Sequence, residues 1–160
     1  MAAFIQILVY GYGNPGREDD GLGIELVKRL ETWSRQTGLT GIEFDSNYQL
    51  NIEDAEIISE KDVVIFADAS TEEIDAFILT EVTGESEVTF TTHAASPGYI
   101  LKLCTDLFGK FPRVYLLHIK GYQSEFSEKI SDRAEHNLNN AYEFMKNYLI
   151  NLHSNNIKST

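Results

Sequence analysis

The chain has 160 residues, which is enough for one domain that buries a sizeable core without disulfide bonds or a structural metal. Its 13 basic and 25 acidic side chains give a net charge of −12, which disfavours nucleic acid and anionic membranes as partners. A single cysteine, Cys104, excludes an internal disulfide and favours a cytoplasmic location.

Runs of apolar residues alternate with helix-like apolar stripes along the first half of the chain. The run 4–10 predicts a strand that ends at Gly11. The stripe after it predicts a helix with one buried face formed by Leu22, Leu26, Leu30 and Trp33. Residues 42–44 predict a second strand, 51–60 a second helix, and the nearly continuous apolar run 62–70 a strand buried on both faces.

The second half continues the alternation of strands and helices. Residues 76–82, with 87–92 as a further strand of a hairpin, alternate apolar and polar side chains as an edge strand does. Ser96 followed by Pro97 is typical of a helix start. The expected buried stripe of that helix is Ile100, Leu103, Cys104, Leu107 and Phe108. A strand over 113–119 and a long final helix, with an apolar face from Ala134 to Leu152, complete the chain.

This order of elements predicts an α/β fold. Right-handed connections between parallel strands put helices on both faces, so we expect a three-layer α/β/α sandwich. Its twisted, mostly parallel sheet should have about five strands, with one antiparallel edge strand or hairpin. No linker divides the chain, so we expect a single domain over 1–152 and a flexible tail over 153–160. Ligands of such sheets bind beyond the carboxyl ends of the strands.

The loop after the first strand, GYGNPGREDDGLG, carries the glycine pattern of a dinucleotide-binding turn. The pattern G-x-G-x-x-G is formed by Gly11, Gly13 and Gly16. Pro15 removes an amide donor from this turn. Three acids then occupy the helix start where a pyrophosphate would dock, namely Glu18, Asp19 and Asp20. The loop therefore disfavours a dinucleotide, although a dinucleotide-binding α/β protein stays an alternative.

Carboxylates at a helix start are better suited to a cation, because the helix dipole keeps them ionised. Asp68 ends the most apolar strand, and neighbouring first and third strands would bring Asp20 and Asp68 into one crevice. His93, just before the helix that begins at Ser96, would add an imidazole nitrogen. Two carboxylates and one imidazole suit nickel, zinc, iron or cobalt better than magnesium. Taken singly, each residue also has an ordinary structural explanation as a helix-start acid, a turn cap or a loop histidine.

Three ordered segments, GYGNPGREDDGLGIELVKRL, DVVIFADAS and TTHAASP, resemble the hydrogenase maturation proteases. Members of that family trim the C-terminus of the large subunit of nickel-iron hydrogenases after nickel insertion. The resemblance implies a nickel-recognition set of Asp20, Asp68 and His93, with Asp20 and Asp68 as candidate catalytic carboxylates. It also implies that the partner is a nickel-loaded large-subunit precursor, which brings the metal itself. Zinc or cadmium could substitute for that nickel, and no stored cofactor is expected.

Other loop residues are expected to support this site. Gly11, Gly13 and Gly21 would allow close backbone approach or positive φ, and Asn14 would tie the loop through its side-chain amide. Asp45 is the acid found where many family members have an Asp-Gly-Gly-Thr-like turn, which the family uses to choose its partner. Asp45 is therefore the candidate for substrate recognition.

Two questions stay open at the level of the sequence. GYGNPG also resembles the start of the peptidyl-tRNA hydrolases, but REDDGLG replaces the run that carries their catalytic histidine, and the net charge disfavours tRNA. A non-catalytic metallochaperone or assembly factor for the same partner fits the same residues. For hydrolysis, either the metal polarises the scissile carbonyl or activates water, or a carboxylate such as Asp20 acts as general base.

Overall fold

The computed structural model describes residues 3–84, 95–155 and 157–158. The predicted strand over 87–92 and the candidate ligand His93 lie outside these described residues. The strands are β1 (Ala3–Phe4), β2 (Ile7–Tyr12), β3 (Ile42–Asn47), β4 (Val63–Ser70), β5 (Phe77–Glu81), β6 (Arg113–Lys120) and β7 (Ile157–Lys158). The α-helices are α1 (Leu22–Thr37), α2 (Asp54–Ser59), α3 (Pro97–Phe108) and α4 (Asp132–Asn155), and a 3-10 helix, Glu18–Gly21, leads directly into α1.

Five strands form the main sheet in the order β3-β2-β4-β6-β5. β2 pairs in parallel with both β3 and β4, and β4 pairs in parallel with β6. β5 runs antiparallel to β6 at the edge, with Phe77 opposite Ile119. The α/β sandwich with one antiparallel edge strand is therefore confirmed. β1 and β7 form a separate antiparallel pair.

Two apolar clusters cover the two faces of this sheet. Alternate residues of β4, such as Ile65 and Phe66, enter different clusters, as expected for a strand that is buried on both faces. One cluster is formed mainly with α1 and α4, and the other with α2 and α3. The sheet thus has helices on both sides, and its strand ends remain available for a site.

Several element details differ from the sequence-based expectations. Leu107 and Phe108 are 67% and 41% exposed, so they do not belong to the buried face of α3. That face consists of Gly98, Ile100, Leu101 and Cys104, and the last turn before Gly109 extends beyond it. β3 continues to Asn47, and α2 starts only at Asp54, whose carboxylate accepts a hydrogen bond from the amide of Asn51 at 2.8 Å.

The C-terminal part of the chain continues in regular structure past residue 152. α4 extends to Asn155, and Ile157–Lys158 pairs with Ala3–Phe4. The domain boundary at 152 and the flexibility of 153–160 stay predictions. Within the described part of the chain, no helix combines the length and the apolar character needed to cross a membrane.

Candidate active site

Two glycines allow the start of α1 to lie directly against the sheet. A Cβ atom on Gly11 of β2 would lie 2.3 Å from the carbonyl oxygen of Gly23 in α1. A Cβ atom on Gly23 would in turn lie 2.2 Å from the carbonyl oxygen of Ala67 in β4. Only glycine fits at such backbone separations. The start of α1, and with it the preceding 3-10 helix, is thereby held over the carboxyl ends of β2 and β4.

The loop between β2 and the 3-10 helix folds back onto Asp20. Gly13 has a φ of +135°, and a Cβ there would lie 2.2 Å from the carbonyl oxygen of Asp20. The amide of Asn14 donates to Asp20 Oδ2 at 2.8 Å, and Asn14 Oδ1 accepts from the amide of Gly16 at 2.8 Å. A Cβ on Gly21 would lie 2.8 Å from Cα of Pro15. Glycine at positions 13 and 21 therefore allows this loop to pack closely against neighbouring backbone atoms.

Asp68 occupies the end of β4 and is electrostatically coupled to Asp20. Burial raises the pKa of Asp68, and the negative charge of Asp20 raises it further, to about 7. Hydrogen bonds from the amide of Ala69 and the hydroxyl of Tyr12 act in the opposite direction. The pKa of Tyr12 is itself raised well above its usual value by burial and by the neighbouring Asp68 carboxylate. The structure thus brings Asp20 and Asp68 together at one end of the sheet.

No third metal-ligating side chain completes this pair within the described residues. Residues 3–84, 95–155 and 157–158 contain no group of three His, Cys, Asp or Glu side chains that could hold a metal ion. His93, the predicted third ligand, lies outside those ranges. His118 lies beside Asp68 in the register of β4 and β6, but its Nε2 atom is hydrogen-bonded to Thr80 Oγ1 at 3.0 Å. Burial lowers the pKa of His118.

Asp45 has a different environment from the two coupled carboxylates. It lies on the edge strand β3 in register with Tyr10, and its side chain is exposed. Its Oδ1 atom accepts a hydrogen bond from the amide of Ser46 at 2.8 Å. Asp45 lines an open surface groove together with Val27, Lys28, Glu31, Thr32, Phe44 and Ser46. An exposed position beside a groove leaves substrate recognition by Asp45 as a prediction.

Sequence reasoning missed two residues next to this site. Tyr12 binds Asp68 from the end of β2, and a tyrosine between two glycines gave no sign of that contact. Asp19 is 2% exposed and accepts hydrogen bonds from the amides of Tyr122, Gln123 and Ser131 and from the Ser131 hydroxyl, at 2.7 to 3.0 Å. Burial raises the pKa of Asp19, but these hydrogen bonds outweigh it and hold the pKa below its usual value.

Replacing Tyr12 by Phe is expected to raise the pKa of Asp68 above about 7 in the metal-free protein. The tyrosine hydroxyl stabilises the ionised carboxylate, so its removal favours the protonated form. The measurement is an NMR titration of the Asp68 side-chain carbonyl carbon in both proteins. A lower pKa in the variant would contradict the hydrogen bond from Tyr12 to Asp68.

The same fold occurs in solved structures of hydrogenase-processing enzymes. The chain matches a NiFe hydrogenase maturation protease, HycI from Thermococcus kodakarensis KOD1, with a TM-score of 0.72 and 19% identity over 92% of this chain and 94% of that chain. The hydrogenase maturating endopeptidase HybD from E. coli gives a TM-score of 0.71 and 18% identity, over 91% and 93% of the two chains. An endopeptidase from Escherichia coli gives 0.69 and 19%, over 96% of each chain. At these identities the similarity establishes the fold.

Comparison by sequence gives no assignment. No model of a protein family matches the chain, and no curated protein matches it.

Proposed function

We propose that this chain is an endopeptidase of the hydrogenase maturation protease family, and that it acts on a nickel-iron hydrogenase large-subunit precursor. The proposal combines the fold, which it shares with maturation endopeptidases over more than nine-tenths of its length, with the three sequence segments that resemble that family. Its expected place of action is the cytoplasm, which the single cysteine favours.

The observation that carries the proposal is that Asp20 and Asp68 lie close together near the carboxyl ends of β2 and β4. Ligands of open α/β sheets bind at this position. Burial raises the pKa of Asp68, and repulsion by the nearby Asp20 carboxylate raises it further. A cation between them would remove the repulsion, so the pair is suited to receive one.

The cation in this proposal is nickel that the substrate carries. Asp20 and Asp68, with His93 as third ligand, would complete the coordination of nickel already bound to the precursor. Zinc or cadmium could take the same place in an experiment. Because the pKa of Asp68 is about 7, cation binding near neutral pH would displace a proton from this carboxyl group. Recognition of the metal would restrict cleavage to precursors that have received it.

Hydrolysis of the precursor would add water to the scissile carbonyl carbon, break its C–N bond and pass a proton to the leaving amine. Two routes fit the site. In the first, the substrate-borne metal polarises the carbonyl or activates the water. In the second, a carboxylate such as Asp20 removes the proton from the water.

The test is to mix the purified protein with nickel-loaded and nickel-free precursor and to follow the mass of the large subunit. The expected result is release of a C-terminal peptide from the loaded precursor alone. A stable complex without a mass change would overturn the proposal and support a metallochaperone. Equal cleavage of both precursors would contradict metal recognition, while leaving the peptidase activity established.

Variants of the three predicted ligands test the site itself. Asp20→Ala, Asp68→Ala and His93→Ala are each expected to stop processing of the loaded precursor while the protein stays folded, as followed by circular dichroism. Native rates in all three variants would refute the site.

Titration with NAD or FAD tests the alternative of a dinucleotide-binding protein. Micromolar binding that is abolished by a bulky residue in place of Gly13 would favour that alternative.

A further inference from the structure

The connection between β6 and α4, residues 121–131, is bound to the loop that carries Asp20. Asp19 is the centre of this contact, because its buried carboxylate accepts four hydrogen bonds from the connection. Its donors are the amides of Tyr122, Gln123 and Ser131 and the hydroxyl of Ser131. The Asp19 amide also donates to the carbonyl of Gln123 at 3.0 Å. One side chain thus fixes both ends of an eleven-residue connection.

Further bonds join the same two segments on either side of Asp19. The Glu18 amide donates to the carbonyl of Ser127 at 2.7 Å, and the Ser127 amide donates to the carbonyl of Gly16 at 3.0 Å. The Glu18 carboxylate accepts from the amide of Glu125 at 2.9 Å. Arg17 lies over the ring of Phe126, with its guanidinium carbon 4.2 Å from the ring centroid. The contact therefore runs along the whole approach to the 3-10 helix.

The backbone conformation of Glu18 depends on contacts with the 121–131 connection. Its φ is +47°, in the left-handed region that residues other than glycine rarely adopt. Such a conformation persists only where neighbouring structure determines it. Here the determining contacts are those of Glu18 with Ser127 and Glu125. The backbone two residues before Asp20 is consequently held in place by the connection.

The connection also reaches the strand that carries Asp68. The Gly121 amide donates to the carbonyl of Ser70, the last residue of β4, at 2.9 Å. A Cβ atom on Gly121 would lie 2.8 Å from Cβ of Asp19, so the connection passes directly against Asp19 at this point. A single segment therefore touches both the loop of Asp20 and the strand end of Asp68.

We propose that Asp19 is a positioning residue, which sets the orientation of Asp20 toward Asp68 by binding the 121–131 connection; this inference rests on the proposed peptidase function. Asp19 and Asp20 are successive residues of one short 3-10 helix. The Asp19 carboxylate binds the connection, and the Asp20 carboxylate binds the Asn14 amide near Asp68. Fixing Asp19 fixes the rotation of this helix and so the direction of Asp20.

The direct test is Asp19→Asn, because an amide cannot accept hydrogen bonds from donors on both of its sides. Its NH₂ group would face donors of the connection. Amide hydrogen exchange of Asn14, whose N–H is bound by Asp20, reports the position of Asp20 without any assay of activity. We expect this exchange to accelerate at least about tenfold relative to amides of β4. We expect kcat/KM for the loaded precursor to fall about 100-fold, mostly in kcat, because misplaced catalytic groups lose rate rather than binding.

Asp54→Asn is the matched control, since Asp54 is the other buried carboxylate of the described residues, at 5% exposure. It binds Tyr10 and Asn51 on the α2 side of the sheet. At a temperature where both variants are folded, Asp54→Asn should keep native Asn14 exchange and a native kcat. Equal losses in both variants would overturn the proposal, because the effect would then be general destabilisation.

Ser131 gives a second variant in case Asp19→Asn does not fold. Ser131→Ala removes the hydroxyl bond to Asp19 and should weaken Asn14 protection, while Ser131→Thr keeps a hydroxyl and should restore it. Native exchange at Asn14 in Asp19→Asn and Ser131→Ala would refute the positioning role. If the variants alter Asn14 exchange but the wild-type protein cleaves no precursor, the coupling between Asp19 and Asp20 is established. Only the proposed peptidase function is then refuted.

Discussion

Replacing Asp68 by Asn is expected to stabilise the metal-free protein while it strongly slows cleavage of the precursor. The pKa of Asp68 is about 7 in the folded chain and near 3.8 for an unperturbed aspartate. The folded state therefore binds more protons than the unfolded state between these two values. Stability falls as pH rises through that window, because ionising Asp68 in the fold costs free energy.

The size of this penalty follows from the displacement of the pKa. Each pKa unit corresponds to about 1.4 kcal/mol, so the full penalty above pH 7 is at most about 4 to 5 kcal/mol. An asparagine carries no charge at any pH, and its side-chain oxygen can still accept from the Tyr12 hydroxyl and the Ala69 amide. We expect the variant to gain about 2 to 4 kcal/mol in the free energy of unfolding near pH 8, and little below about pH 4.

The measurement is urea unfolding of both proteins across this pH range, in buffer with a chelator. Asp45→Asn is the control, because it removes an exposed acid at the sheet edge and should change the free energy by less than about 0.5 kcal/mol. Cleavage by Asp68→Asn should fall about 10² to 10⁴-fold. A variant less stable than the parent near pH 8 would contradict the raised pKa of Asp68 in the folded protein.

The sheet and its helices could be predicted because their apolar patterns are local and strong. Residues 63–67 are apolar at every position, as expected for a strand buried on both faces, and β4 is that strand. Ser96 and Pro97 correctly placed the start of α3, where Ser96 Oγ accepts from the Tyr99 amide at 3.1 Å. The expected burial of the last turn of α3 was wrong, because the apolar periodicity continues past the point where the neighbouring elements end. Leu107 and Phe108 follow the pattern but have no layer to pack against.

The arrangement around the acids could be predicted only in part. The position of Asp20 and Asp68 follows from strand order, because the ends of neighbouring parallel strands share one edge. The three acids at 18–20 are alike in sequence, and nothing local separates the buried Asp19 from the partly buried Asp20. The difference arises from a segment more than one hundred residues away, which contributes mostly backbone amides. Backbone donors carry no sequence signature, so such contacts are recognised only in the folded structure.

Replacing Gly23 by Ala is expected to destabilise the protein by about 1 to 2 kcal/mol and to separate the two acid-bearing loops. Alanine has a higher helix propensity than glycine, by up to about 1 kcal/mol, so propensity alone predicts a gain at this second residue of α1. The new Cβ atom would lie 2.2 Å from the Ala67 carbonyl oxygen and 3.1 Å from that of Tyr12. Both neighbours are backbone atoms of the central strands, which cannot turn away as a side chain does. The steric cost therefore exceeds the gain in propensity.

Relief of this clash requires α1 to move away from β2 and β4, and Asp20 moves with it. That movement reduces the burial of Asp68 and increases its distance from the Asp20 charge, which are the two causes of its raised pKa. In Gly23→Ala the pKa of Asp68 should consequently fall from about 7 toward its ordinary value, and cleavage of the precursor should be lost. Urea unfolding and an NMR titration of Asp68 measure the two effects. Gly84→Ala is the control, because its Cβ would meet its nearest atoms at an ordinary 3.6 Å. An unchanged Asp68 pKa in Gly23→Ala would show that the approach of α1 does not hold the two carboxylates together.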